Sequence, residues 1–96
     1  MKIEGDFSTG EVYVNGKWLD PEPSQKLWNH SPTGFMWGYG GSGPAQLALA
    51  ILLRAVGKEK ALKHYQRFKW EIIATLPQTN FAINVDIKKW LEAHQQ

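Results

Sequence analysis

The chain has 96 residues, of which 43% are hydrophobic and 21% charged, figures ordinary for one small folded domain. It has no cysteine, which excludes a disulfide framework and a cysteine zinc site. The formal net charge of +2 permits contact with anions but lies far below that of a typical nucleic-acid-binding domain. The N-terminus lacks the apolar stretch of a signal peptide, and the longest apolar run, residues 47–53, is too short to cross a bilayer. We therefore expect a single cytoplasmic domain over residues 1–96, with neither membrane nor nucleic acid as a partner.

The first twenty residues predict a three-stranded antiparallel meander. Residues 2–7 and 11–14 have the alternation of strands, with a turn between them. Asn15-Gly16 is a strong hairpin signal, because both residues tolerate a positive φ angle. Residues 17–19 then return as a third strand, and a further strand is predicted much later, at residues 80–83.

The segment after the meander is rich in breakers. Residues 20–24 hold two prolines, so we predict no regular structure there. Residues 26–28 are predicted as a short strand, and residues 29–34 as a turn-rich loop.

A buried helix is predicted over residues 44–56, and its first half is apolar almost all round. Pro44 suits the first position of a helix, with Ser42 or Gly43 as the cap. Gly57 would end the helix. We expect this element at the centre of the core.

Two further helices are predicted toward the C-terminus. The first covers residues 58–76 and ends before Pro77; helical spacing puts Lys69 inside its apolar stripe and Trp70 well outside. The second begins after Asn84, a possible cap. Its apolar face contains Ile87, Trp90, Leu91 and His94. The predicted fold class is α+β, a small antiparallel sheet packed against a buried central helix and two other helices.

The stretch WGYGGSGP raises the question of function. Gly38, Gly40 and Gly43 match G-x-G-x-x-G, but a second helix follows where a dinucleotide fold needs a strand, and no Walker lysine is present. A helix start still offers unpaired N–H groups to an anion, here those of residues 45–47. Equally, glycines before a buried helix serve tight turning and close packing. The sequence leaves both interpretations open.

The search for catalytic residues yields one candidate. His30 stands in a polar loop and could act with Ser31 or Ser42, although a histidine that stabilises a loop is the alternative. No pair of the three histidines has metal-ligand spacing, so neither a metal nor another cofactor is expected.

The run NHSPTGFMWGYGGSGPAQLALAIL, residues 29–52, resembles a family of small proteins of bacteria and their phages that is known only as a domain of unknown function. The segment YQRFK, residues 65–69, and the N-terminal hairpin share the resemblance, which extends over residues 3–87. The resemblance implies that the loops at residues 29–34 and 37–43 and Lys69 belong to one recurring pattern. Polar loop residues in such a pattern favour a ligand-binding site. A phage setting further implies an anti-defence role in the host cytoplasm, such as sequestration of a nucleotide signal.

Three functions follow as hypotheses. The first is a non-enzymatic protein that binds a small anionic ligand, such as a nucleotide or cyclic nucleotide. The alternatives are a protein-interaction module anchored by Trp28 and Trp70, and a small enzyme that uses His30. A small domain with five tryptophans, one of them outside the apolar stripe of its helix, has apolar surface that association would cover, so we also expect a homo-oligomer. The predicted ligand-binding residues are Asn29, His30, Ser31, Thr33, Trp37, Tyr39, Gly40, Gly41, Ser42, Gly43, Gln46 and Lys69.

Overall fold

The computed structural model describes residues 1–94, which form four strands, four α-helices and one π-helical turn. In chain order the elements are β1 (Lys2–Asp6), β2 (Glu11–Val14), β3 (Lys17–Trp18), α1 (Glu22–Leu27), α2 (Ser42–Val56), α3 (Lys58–Phe68), the π-turn (Lys69–Ile73), β4 (Phe81–Asn84) and α4 (Ile87–His94).

The strands form one antiparallel sheet in the order β3-β2-β1-β4, which confirms the predicted meander and the later strand. The β2–β3 hairpin turns at Asn15 and Gly16, whose φ angles are 51° and 80°. In the register, Ile3 pairs with Val14 on one side and with Ile83 on the other. This places their side chains on a common face, which packs toward the helices.

Helix α2 occupies the centre of the core, as predicted. Its residues from Gly43 to Leu52 are buried without interruption, and it contacts α1, α3, α4 and the π-turn. The fold is therefore α+β, with the helices against the sheet. No helix within residues 1–94 combines the length and apolar content that a transmembrane segment needs.

The prediction for residues 20–28 was wrong, because a helix stands where irregular structure and a strand were expected. Pro21 is the N-cap of α1, and Pro23 falls in its first turn. A proline is tolerated there, since first-turn N–H groups have no partner within the helix. The Ser24 hydroxyl donates to the Pro21 carbonyl at 2.7 Å and tightens this turn.

The start of α2 also differs from the prediction. The helix begins at Ser42 rather than Pro44, its N-cap is Gly41, and no side chain caps it. Pro44 becomes the third helical residue, where its missing N–H is still no loss.

Helix α4 is capped by Asp86 and not by Asn84 as predicted. The Asp86 carboxylate accepts the Lys89 N–H at 3.1 Å. At its other end, α4 is tied to the π-turn, because Glu71 accepts hydrogen bonds from the Trp90 indole at 3.2 Å and lies 2.8 Å from His94 Nε2.

The predicted helix over residues 58–76 is interrupted. Regular α-helix ends at Phe68, and the π-turn follows, in which the Ala74 N–H donates to the Lys69 carbonyl at 2.7 Å. Single π-turns inside helices are often found at functional sites. As the helical phase predicted, Lys69 is buried and Trp70 is exposed.

Candidate functional site

Packing of large side chains accounts for the glycines of the central loop. A Cβ atom at Gly40 would collide with the six-membered ring of Trp70, which lies over the backbone at that point. A Cβ at Gly43 would lie 2.8 Å from that of Met36. Gly38 has a φ of 85° and would meet the Leu76 carbonyl at 3.0 Å. Close packing therefore explains the G-x-G-x-x-G match at these three positions.

The backbone donors predicted for an anion at the start of α2 are mostly engaged. The Ala45 N–H donates to the Gly41 carbonyl at 3.1 Å, and the next two N–H groups lie inside the helical ladder. Only Ser42 and Gly43 keep first-turn N–H groups without intrahelical partners.

Gln46 has no exposed surface and is a structural residue. Its side-chain oxygen accepts the N–H groups of His30 and Ser31 at 2.8 and 3.0 Å. Its amide nitrogen donates to the Ser24 hydroxyl at 2.8 Å and to the Trp28 carbonyl at 3.2 Å. All four hydrogen bonds are internal, so the structure gives Gln46 a role in holding this loop, and its contact with a ligand stays a prediction.

Trp37 likewise belongs to the core, and its role in a ligand wall stays a prediction. It has no exposed surface, its indole donates to the Thr79 carbonyl at 2.8 Å, and its ring packs edge-on with Phe81.

The other predicted loop residues are scattered. Asn29, Thr33 and Ser42 are exposed, whereas Ser31 is buried, with its hydroxyl 3.5 Å from that of Thr33. Tyr39 is 45% exposed, and its ring covers Gly41.

A different set of side chains converges next to the glycine loop; it consists of Trp28, His30, Tyr65, Lys69 and Trp70, and we call it the Lys69 cluster. Lys69 Nζ lies 4.3 Å from the centre of the Trp70 ring, a cation–π contact. His30 Nε2 lies 2.7 Å from the Tyr65 hydroxyl, and Trp28 stacks on the His30 ring at 5.8 Å.

Lys69 is the unusual member of this cluster. Its side chain is only 7% exposed, and no carboxylate of residues 1–94 lies within 4.0 Å of its ammonium group. A lysine whose stem is buried this far without a paired charge is uncommon, and its charged end is then the part that reaches toward solvent. Trp28 and Trp70 border the cluster with indoles that are 60% and 59% exposed. The arrangement brings one cation and two exposed indoles to the same part of the surface.

His30 does not pair with a serine. Its Nε2 faces the Tyr65 hydroxyl and neither Ser31 nor Ser42, and the His30 N–H is held by Gln46. The geometry thus lacks the serine–histidine contact that the enzyme hypothesis requires.

The environment of His30 predicts a pH dependence of stability. Burial lowers the pKa of His30, and the positive charge of Lys69 lowers it further. Since the pKa is lower in the folded chain, the unfolded chain binds more protons between the two values. The free energy of unfolding should therefore fall as the pH drops below about 6.5 and should not change from this source at higher pH.

Urea denaturation from pH 7.5 to pH 5 tests this, with a smaller fall expected for His30→Gln than for the wild type. His64, whose pKa is also lowered mainly by burial, contributes in the same direction. The His64→Gln variant is thus the matched control. Its free energy of unfolding should still fall at low pH by the amount that His30 contributes. An unchanged pH profile in His30→Gln would contradict the assignment.

The sequence signal that was missed is the spacing of Tyr65 and Lys69. Residues four apart on a helix are neighbours on one face, so Tyr65 was bound to approach any site built on Lys69. Within the described residues, no group of three His, Cys, Asp or Glu side chains could hold a metal ion.

Comparison with known proteins places the chain in a family without assigning an activity. Neither a curated protein nor a solved structure matches it. The model of a family of unknown function, DUF6166, matches residues 3–93, and the chain belongs to that family.

Proposed function

We propose that the protein binds a small anionic ligand of nucleotide type at the Lys69 cluster, without turning it over. The observation that carries the proposal is Lys69, a residue only 7% exposed whose ammonium group lies against the Trp70 ring and has no carboxylate partner among residues 1–94. A phosphate would supply the missing counter-charge, and lysine serves as a point-charge ligand for phosphate in many proteins.

The two exposed indoles of the Lys69 cluster favour a ligand with a planar ring. Trp28 and Trp70 expose more than half of their surfaces at the border of the cluster. Stacking of a base on an aromatic side chain contributes about 1–3 kcal/mol and tolerates any base. The start of α2 has no acidic residue in its first turn, which also favours a nearby negative charge.

A thermal-shift screen tests the proposal. The panel holds nucleoside mono- and diphosphates and cyclic nucleotides, with inorganic phosphate, sulfate and an uncharged nucleoside as controls. A ligand at about 100 times its Kd adds about 2.7 kcal/mol, a shift of several degrees for a domain of this size. A flat screen, or an equal shift with the uncharged nucleoside, would contradict the proposal.

Binding without turnover would suit sequestration of a nucleotide signal. In a bacterial cell infected by a phage, this would be the anti-defence role that the family resemblance implies.

The exposure of Trp28 and Trp70 also favours a second candidate, a protein interface or self-association at the same face. Sedimentation at several protein concentrations separates the two. Concentration-dependent association that Trp70→Ala abolishes would favour the interface.

A further inference from the structure

A cleft lined by basic residues lies outside the Lys69 cluster. This cleft of about 930 Å³ is bounded by the β2–β3 hairpin, the last turn of α2 and the junction between β4 and α4. Its volume falls within the range of about 300–1,000 Å³ that small-molecule sites occupy. It shares no lining residue with the Lys69 cluster.

Three cationic side chains, Lys17, Arg54 and Lys88, line this cleft from three separate elements. None of them forms an ion pair with a carboxylate of the described residues 1–94. The cleft has one acidic lining residue, Asp86, whose carboxylate is used to cap α4.

Two of these cations occupy positions that folding does not favour. Lys17 pairs with Val14, so the register puts it on the inner face of the sheet, where Val14 is 2% exposed. Lys88 is the second residue of α4, and a cation near a helix N-terminus opposes the helix dipole. A lysine on an edge strand also discourages sheet-to-sheet pairing, but that role explains neither Arg54 nor Lys88.

The remaining lining fits the body of an organic anion. Val14, Ala55, Val85 and Ile87 provide apolar surface, and Asn15 and Asn84 provide amides. Arg54 also donates to the Trp18 carbonyl at 3.4 Å, and basic residues on three separate elements suit a ligand with several acidic groups better than a single phosphate.

From this juxtaposition we propose that the cleft between β3, α2 and α4 binds a small organic polyanion that carries two or more phosphate groups. The inference is independent of the function proposed for the Lys69 cluster.

Titration calorimetry with tripolyphosphate tests it, with inorganic phosphate and citrate as the comparison anions. We expect tripolyphosphate to bind more tightly than inorganic phosphate. Added NaCl should weaken the binding of tripolyphosphate. Lys17→Gln and Lys88→Gln should each weaken tripolyphosphate about fivefold, the effect of one lost charge pair at a solvent-exposed site. Both lysines are exposed, so these variants should fold.

Lys63→Gln is the matched control, because Lys63 is exposed on α3 and does not line the cleft. Lys69→Met should also leave tripolyphosphate binding intact, which separates this site from the Lys69 cluster. Absence of tripolyphosphate binding, an equal loss in Lys63→Gln, or tighter binding of citrate than of tripolyphosphate would each overturn the proposal.

Discussion

Replacing Lys69 with methionine should weaken nucleotide binding by about 10- to 100-fold and leave the protein folded. Methionine retains an unbranched apolar chain but removes the charge. A hydrogen bond to a charged group contributes about 1.5–3 kcal/mol, which sets this range. Stability should fall by no more than about 1 kcal/mol, the contribution of the cation–π contact with Trp70, because Lys69 has no carboxylate partner among residues 1–94 to be left unpaired.

The measurement is calorimetric titration with the best nucleotide of the screen, after the melting temperature has been compared with that of the wild type. Lys63→Met on the same helix removes an exposed charge and should bind as the wild type does. A folded Lys69→Met protein with unchanged affinity would refute the role of the buried ammonium group.

Replacing Gln46 with leucine should destabilise the fold by about 2–6 kcal/mol. The amide accepts the N–H groups of His30 and Ser31, and each donor left without a partner costs about 1–3 kcal/mol. Because these bonds hold the loop that positions His30, the variant should also lose order at the Lys69 cluster.

Urea denaturation followed by tryptophan fluorescence gives the free energy of unfolding for this comparison. Gln66→Leu, at an exposed position of α3, is the matched control and should change stability by no more than about 0.5 kcal/mol. Equal stability of the Gln46 and Gln66 variants would show that the internal hydrogen bonds contribute little.

Local signals predicted most of the fold. Asn15-Gly16 marked the hairpin, and the apolar composition of α2 marked the central helix. Helix α1 was not predicted because proline breaks most regular structure, although the first helical turn accepts it. The π-turn has no sequence pattern of its own, since it depends on how the end of α3 packs.

The candidate site was only partly predictable, because its geometry depends on contacts distant in sequence. Helical phase placed Lys69 in the interior correctly. Gly40 is required because the ring of Trp70 packs on its backbone, and His30 is held in place because its backbone N–H donates to the side-chain oxygen of Gln46. Such contacts cannot be inferred from a local motif, so the glycine pattern alone left an anion site and close packing both open.

The most direct test of the Lys69 cluster follows the indole N–H signals of the five tryptophans by nuclear magnetic resonance during titration with a nucleotide. The signals of Trp28 and Trp70 should move, because these rings border the cluster. The signal of Trp37 should stay, because its indole is buried and bonded to Thr79. Movement of Trp18 alone, or no movement at all, would contradict ligand binding at this site.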